Sequence, residues 1–168
     1  VVVGADGTHS RVARTVGADA YNESPKEAGS FNLYSYFTGV KLDGVEFYSR
    51  PQRLIYAWET NDGRSVIGVI QPGMAPRPAR ENMDAHFQSE LATLAPGLAE
   101  RVQAGRRDDD WLSGAIATFC RQAAGPGWCL VGDAGVTTDP ITAAGISNAL
   151  RDAELAASLI HAGLQEGH

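Results

Sequence analysis

Residues 128–153 read WCLVGDAGVTTDPITAAGISNALRDA, and this stretch decides the fold. A short apolar run, 129–131, ends at a glycine and Asp133, and a turn-rich stretch containing Pro140 then leads into an alanine-rich helix. A strand that stops at a carboxylate and opens a helix is how α/β proteins hold nucleotide cofactors. The chain begins with a related phrase, VVVGADGTHSRVAR at residues 1–14. Because the two phrases lie at opposite ends of the chain, they predict one cofactor held from two sides.

The middle of the chain has a different character. Four runs rich in aromatic and β-branched residues are separated by turn residues, and they predict antiparallel strands. The runs span residues 31–40, 45–50, 53–60 and 64–71. Alternation along the third run places Leu54, Tyr56 and Trp58 on one face of the sheet.

Helices are predicted after these strands. Residues 80–95 carry an apolar stripe at helical spacing, and a short helix is expected over 98–103. The stripe consists of Met83, Phe87, Leu91 and Leu94. Residues 111–122 are predicted to be extended, and the last helix is expected over 142–162. Its expected buried stripe is Ile146, Ala149, Leu150, Ala153, Ala157 and Ile160.

These elements predict an α/β (α+β) fold with two parts. Both chain ends, residues 1–25 and 112–168, are expected to form one Rossmann-like layer, and residues 26–111 an inserted antiparallel-sheet domain with a covering helix. The apolar run 1–5 predicts a strand buried on both faces, as parallel strands are. Because the sequence starts with Val1 inside that strand, we expect the chain to be a piece of a longer protein whose earlier segment is missing.

Composition excludes several classes of function. The net charge is −6, whereas a broad nucleic-acid or anionic-membrane surface needs basic clusters. No apolar run approaches the roughly 18 residues that would span a bilayer. Cys120 and Cys129 lack metal-ligand spacing, so no metal site is predicted. A disulfide between them stays open, although two thiols in a reducing cytoplasm are the favoured interpretation.

The strand-end stretch has the chemistry of a ligand site. A carboxylate at Asp133 can accept hydrogen bonds from sugar or polyol hydroxyls. Small residues at 143–145 leave the amides of a helix N-terminus open to a ligand with negative charge or carbonyl oxygens. Both features fit a nucleotide cofactor, and Pro140 is expected to set the start of the helix.

Together, the two phrases resemble the FAD motifs of the flavoprotein monooxygenases, the aromatic-hydroxylase superfamily. Residues in register with the family's Gly-Asp motif are Gly132, Asp133, Ala134, Pro140, Gly145, Asp152 and Ala153. Residues in register with its Asp-Gly motif are Gly4, Asp6, Gly7, Ser10 and Arg14. The phrase at 139–154 is similar to a branch near the flavin-dependent halogenases and the isoprenoid-saturating reductases.

The resemblance implies a role for each matching residue. Gly132 and Asp133 would lie at the ribityl chain of FAD, with Asp133 holding it. Asp6 and Gly7 would lie near the ribityl and pyrophosphate groups. Arg14 would help the nicotinamide donor to dock, or would brace the loop. Residues implied to lie near the flavin ring are Pro140, Ala143, Ala144, Gly145 and Ile146.

The substrate side is less specific. Tyr34, Tyr36, Tyr56 and Trp58 are expected either to line a substrate pocket or to pack within the sheet. No residue is predicted to be catalytic, because the four histidines have no nucleophile-and-base setting and the flavin would carry the chemistry.

The implied function is an NAD(P)H-dependent monooxygenase that uses FAD to oxidise a small aromatic or polycyclic substrate. The alternatives are a halogenase or double-bond reductase on the same scaffold, and a non-catalytic remnant that serves as a binding module. Departures from the family pattern keep these alternatives open. Val136 stands where the family frequently has His, and Ala143-Ala144-Gly145 replaces Gly-Gln-Gly.

The glycine turn that holds the ADP half of FAD, Gly-x-Gly-x-x-Gly, does not occur in the sequence. We expect the missing N-terminal segment to carry it. The isolated chain is therefore expected to bind FAD weakly or not at all and to be inactive.

Overall fold

A computed structural model describes residues 1–18, 29–116 and 118–166, with the side chain of residue 116 left out. The chain divides into two compact units. The terminal unit comprises Val1–Lys26 and Ala117–His168, and the central unit comprises Glu27–Ile116. The α/β class predicted from the sequence is confirmed, since parallel and antiparallel pairing coexist with long helices.

Eleven strands and four α-helices lie in the described ranges. The strands are β1 Val2–Gly4, β2 Ser30–Thr38, β3 Glu46–Arg50, β4 Arg53–Glu59, β5 Arg64–Pro72, β6 Arg106–Arg107, β7 Leu112–Ile116, β8 Phe119–Cys120, β9 Ala124–Gly125, β10 Trp128–Leu130 and β11 Val136–Thr137. The helices are α1 Arg11–Val16, α2 Met83–Leu94, α3 Pro96–Ala104 and α4 Gly145–Gln165. None of these helices is long and apolar enough to cross a membrane.

The central unit is an antiparallel sheet covered on one face by two helices. Its strands lie in the order β3-β4-β5-β2, and both β6 and β7 pair with β2. The four predicted strands are confirmed as β2 to β5. Phe87 and Leu91 of α2 and Leu98 of α3 are completely buried against the inner face of the sheet. The predicted stripe of α2 is therefore confirmed, because Met83 and Leu94 also pack against this core.

The sheet of the terminal unit brings together the two sequence segments 1–14 and 128–153. β1 pairs in parallel with β10, so that Val3 lies opposite Cys129, and β9 pairs with the other edge of β10. The expected burial of β1 on both faces is wrong. Val2 and Val3 are 55% and 45% exposed, because β10 is the only strand that pairs with β1 in the described residues.

The final helix is where the sequence predicts it, but its expected buried face is wrong. α4 contains no buried residue, and Ile146 and Leu150 are 80% and 68% exposed. Two contacts fix the rotation of the helix: Ala149 lies close to Gly132, and Asp152 accepts a hydrogen bond from the amide of Gly132. The residues that α4 turns toward the sheet line two apolar cavities of about 290 and 210 Å³. From α4 they are Asp152, Leu155, Ala156, Leu159, Ile160, Gly163 and Leu164.

Candidate functional site

The loop after β10 depends on the glycine at its first position. Gly132 has φ of 56°, a left-handed conformation that side chains disfavour. A Cβ added there would lie 3.0 Å from the Cβ of Ala149. Its amide donates to the Oδ2 atom of Asp152, at 3.2 Å. The glycine thus lets α4 approach the end of the strand closely, and Asp152 holds the two together.

Asp133 presents an available carboxylate. The residue is exposed, although Gly132 and Ala134 on either side are buried. Within the described residues, its side chain makes no hydrogen bond and no ion pair. Its backbone carbonyl accepts from the Oγ1 atom of Thr137, at 3.5 Å, which ties the loop to β11. A fixed backbone with an uncommitted carboxylate suits a ligand that offers hydroxyl groups.

A short turn precedes α4 and exposes the amides of its N-terminus. Residues 140–142 form a 3-10 turn, whose start is capped because Asp139 accepts from the amide of Ile141 at 3.0 Å. Ala143 is left-handed, with φ of 50°, a conformation that costs a non-glycine residue about 1–2 kcal/mol. Gly145 begins the helix, and Ile146 is exposed. The first amides of α4 have no partner within the helix and can donate to a ligand.

The loop after β1 is organised around the start of α1. Asp6 accepts from the amides of Arg11 at 2.7 Å and Val12 at 3.3 Å, and Ser10 accepts from the amide of Ala13 at 2.9 Å. A hydrogen bond from the Ser10 hydroxyl, reinforced by the amides of Val12 and Arg11, lowers the pKa of Asp6. Asp6 is thus ionised at neutral pH, and part of its hydrogen-bonding capacity already stabilises α1.

Gly7 and Arg14 complete this loop. Gly7 takes the left-handed conformation, with φ of 75°, and nothing lies near the position of a Cβ. Arg14 is exposed, and its Nη1 atom donates to the carbonyl of His9 at 2.7 Å. From the sequence, Arg14 has two possible roles, docking the nicotinamide donor or bracing the loop. The hydrogen bond to His9 is a contact of the second kind.

Sequence reasoning missed Arg121, which connects the loop after β1 with the loop after β10. Its guanidinium donates to the carbonyl of Ala134 at 2.8 Å and to the carbonyl of Thr8 at 3.0 Å. Its own amide donates to Gly135 at 2.8 Å, and its guanidinium lies 4.2 Å from the ring centroid of Phe119. A lone arginine between two short apolar strands was the only sequence signal.

The four aromatic residues predicted for the substrate side lie together in the central unit. They occupy the sheet face opposite α2 and α3, where Tyr56 is buried and Tyr34, Tyr36 and Trp58 are half-buried. The rings of Tyr56 and Trp58 stack with centroids 4.9 Å apart. Burial raises the pKa of Tyr56 to about 12, so that its phenol is neutral at physiological pH.

Metal chemistry has no ligand set in the part of the chain that the structure describes. No group of three His, Cys, Asp or Glu side chains is placed to hold an ion there. What the terminal unit offers instead is a carboxylate, a set of open amides and two tight glycine turns. These groups fit FAD, because its ribityl chain carries hydroxyls and its pyrophosphate and ring carry acceptors.

Comparison with solved structures defines the fold. CmlS, a flavin-dependent halogenase, matches 99% of this chain with a TM-score of 0.80 and 20% sequence identity. PqsL, a probable FAD-dependent monooxygenase from Pseudomonas aeruginosa, matches 100% with a TM-score of 0.77 and 24% identity. HpxO from Klebsiella pneumoniae, complexed with FAD and uric acid, matches 89% with a TM-score of 0.68 and 19% identity.

The chain therefore has the fold that flavin-dependent halogenases and FAD-dependent monooxygenases share, as the resemblance predicted. It spans 31%, 47% and 39% of the lengths of these three proteins, less than half in each case. A scan of known protein families and a search of curated proteins find no match.

Proposed function

We propose that this chain is part of an FAD-dependent oxidoreductase, specifically an NAD(P)H-dependent monooxygenase acting on a small aromatic or polycyclic substrate. The observation that carries the proposal is the meeting of the two phrases at one sheet edge. β1 and β10 run parallel, so the loops that follow them leave the same edge, and Arg121 hydrogen-bonds to both. In open α/β sheets, ligands bind outside the carboxyl ends of the strands.

In this proposal, Asp133 accepts hydrogen bonds from the ribityl hydroxyls. Each such bond to a charged acceptor contributes about 1.5–3 kcal/mol. Asp6 and Gly7 would lie along the ribityl and pyrophosphate groups. Gly132, whose left-handed turn fixes the backbone before Asp133, would lie at the ribityl chain. The amides of Ala144, Gly145 and Ile146 donate to the flavin ring.

Bound FAD supplies the redox chemistry, with NAD(P)H as the proposed electron donor, and the protein orients the ring and excludes water. The ring has to accept negative charge when it is reduced. The N-terminal end of α4 suits that change, because the helix dipole stabilises negative charge near its first turn. Pro140 and the left-handed Ala143 fix the turn from which these amides project, and a preformed turn needs no ordering when the charge develops.

The ADP half of FAD needs a Gly-x-Gly-x-x-Gly turn, and this motif does not occur in the 168-residue sequence. We propose that a preceding segment of the same protein carries it. We also place the enzyme in the cytoplasm, where NAD(P)H is available.

The second candidate is a flavin-dependent halogenase on the same scaffold. It is favoured by the likeness to CmlS and by Val136, which stands where the hydroxylases frequently have His. Oxygen consumption and NADPH oxidation that increase with an aromatic substrate would favour the monooxygenase. Dependence on a separate flavin reductase and on halide would favour the halogenase.

The cofactor site is tested with Asp133→Ala in the full-length protein. We expect the dissociation constant of FAD to rise about tenfold to a hundredfold, because one or two charged hydrogen bonds are lost. Glu154→Ala is the matched control, since Glu154 is an exposed carboxylate on α4 whose side chain makes no hydrogen bond or ion pair in the described part of the chain. Unchanged flavin content and activity in Asp133→Ala would overturn the proposal and favour a non-catalytic binding module.

A further inference from the structure

The outer face of the central sheet, opposite α2 and α3, contains a polar group with unused donors. The hydroxyl of Tyr56 donates to the Oδ1 atom of Asn32 at 3.1 Å. This bond fixes the orientation of the carboxamide and leaves its nitrogen facing away from Tyr56. Among the described residues, the two amide N–H groups of half-buried Asn32 have no acceptor. Covering such donors without offering them an acceptor is unfavourable, so a ligand that covers them must also accept hydrogen bonds from them.

An open space lies directly beside this amide. Gly114 of β7 is opposite Asn32 in the sheet register, and directly opposed residues share a face. Apart from its two chain neighbours, no atom of the described residues lies within 4 Å of the position that a Cβ of Gly114 would occupy. Any other residue would place a side chain there, so the glycine leaves room for one ligand group beside the donors.

The floor next to that space is aromatic and apolar. Tyr34 follows two positions after Asn32 on the same face, and Leu112, opposite Tyr34, is 43% exposed. Tyr56 lies over Gly68, where an added Cβ would collide with its ring. Glycine at that position therefore lets the phenol cross the sheet and reach Asn32.

Charge on this face is absent near Asn32 in the described part of the sheet. The nearest cations by register are Arg64 and Arg106, which both lie opposite Thr38. Arg64 lies over the ring of Tyr36 at 5.2 Å and pairs with Asp109 at 3.0 Å, and Arg106 pairs with Asp108 at 3.0 Å, so both charges are already compensated. The face consequently suits a ligand without net charge.

We propose that Asn32 is a specificity-determining residue that donates to the carbonyl oxygen of a neutral aromatic substrate, whose ring lies on Tyr34 and Leu112 and whose oxygen lies over Gly114. This inference rests on the proposed oxidoreductase function, since it names the substrate class of that enzyme. The proposed site differs from a pocket that is only aromatic because its ligand must carry a hydrogen-bond acceptor over Gly114.

The test measures binding to the full-length protein by calorimetry, with 1-tetralone and tetralin as probes that differ only in the carbonyl. We expect 1-tetralone to bind about fivefold more tightly, the worth of one neutral hydrogen bond. Asn32→Asp keeps an acceptor for Tyr56 but loses the donors, so the preference should disappear. Equal binding of the two probes to the wild type, or an unchanged preference in Asn32→Asp, would overturn the inference, as would tighter binding of anionic 1-naphthoate.

Gly114→Val supplies a second, independent variant. It fills the open space without meeting an atom near its Cβ, and valine suits a strand. We expect 1-tetralone binding to weaken about tenfold, as steric overpacking predicts. Ser113→Val, on the same strand and the opposite face, should leave binding unchanged; equal effects of the two substitutions would contradict the assignment. Visible flavin absorbance of the same samples tests the proposed function separately, because it does not depend on Asn32.

Discussion

Replacing Arg121 with methionine tests whether one side chain holds in place the two loops that we propose to bind FAD. The substitution removes the hydrogen bonds to the carbonyls of Ala134 and Thr8 and keeps a side chain of similar length. A hydrogen bond from a charged donor contributes about 1.5–3 kcal/mol. Because Arg121 is half-buried, the lower value applies to each bond, and the pair contributes about 3 kcal/mol.

That energy can be converted into an affinity. Since 1.4 kcal/mol is a factor of about ten, the joined arrangement of the loops becomes about a hundredfold less favoured. If FAD binds only when both loops are in place, its dissociation constant rises by up to this factor. Arg121→Lys has one ammonium in place of a fork of donors and should recover only part of the affinity.

The assay is titration of FAD-free full-length protein with FAD, followed by flavin fluorescence, together with hydrogen exchange of residues 4–10 and 132–137. Arg11→Met is the control, because it removes the same charge from an exposed side chain that makes no hydrogen bond in the described residues. Unchanged FAD affinity in Arg121→Met would refute the reasoning. So would an equal loss in Arg11→Met, which would point to net charge.

Other substitutions test the turn, the ion pair and the core. Gly132→Ala should lower the free energy of unfolding by about 1–2 kcal/mol and reduce flavin retention, because alanine is strained at φ of 56°. The control variant Gly163→Ala, on α4, should retain the flavin. Arg101 lowers the pKa of Glu46 to about 2. The stability from this pair is therefore present above the unfolded value of 4.5 and is lost as pH falls through about 2, and acid titration of Glu46→Gln should lack this component. Phe87→Ala should lower the urea-unfolding free energy by about 3–5 kcal/mol, and a loss below 1 kcal/mol would contradict its place in the core.

Much of the central unit follows from its sequence. The strands β2 to β5 alternate apolar and polar residues between strong turn signals, and local pattern is sufficient for such elements. The stripe of α2 is equally local. The segments 1–14 and 128–153 could be matched to the family motifs because glycine, aspartate and proline at turns reflect backbone conformation directly.

The wrong or missed predictions depended on contacts between distant residues, which the pattern of apolar and polar residues does not encode. The face of α4 was predicted from the apolar residues, but Asp152 and Ala149 set its rotation through their contacts with Gly132. Asp152 stood in the family motif with no role assigned to it. The bridging role of Arg121 depends on carbonyls far away in the chain, at Thr8 and Ala134, and no local signal predicts which backbone groups converge.

The parallel pairing of β1 with β10 also joins residues that are far apart in the sequence. Val3 can pair with Cys129 only after the residues between them have been synthesised, and closing so long a loop early is entropically unfavourable. The central sheet closes on itself, and its register sets Ser30 opposite residue 116. Once that sheet has formed, residues 30 and 116 lie side by side, so the loop that is closed by pairing β1 with β10 is much shorter. Slow folding of the central unit would therefore be expected to delay the pairing of β1 with β10 and the assembly of the loops that follow these strands.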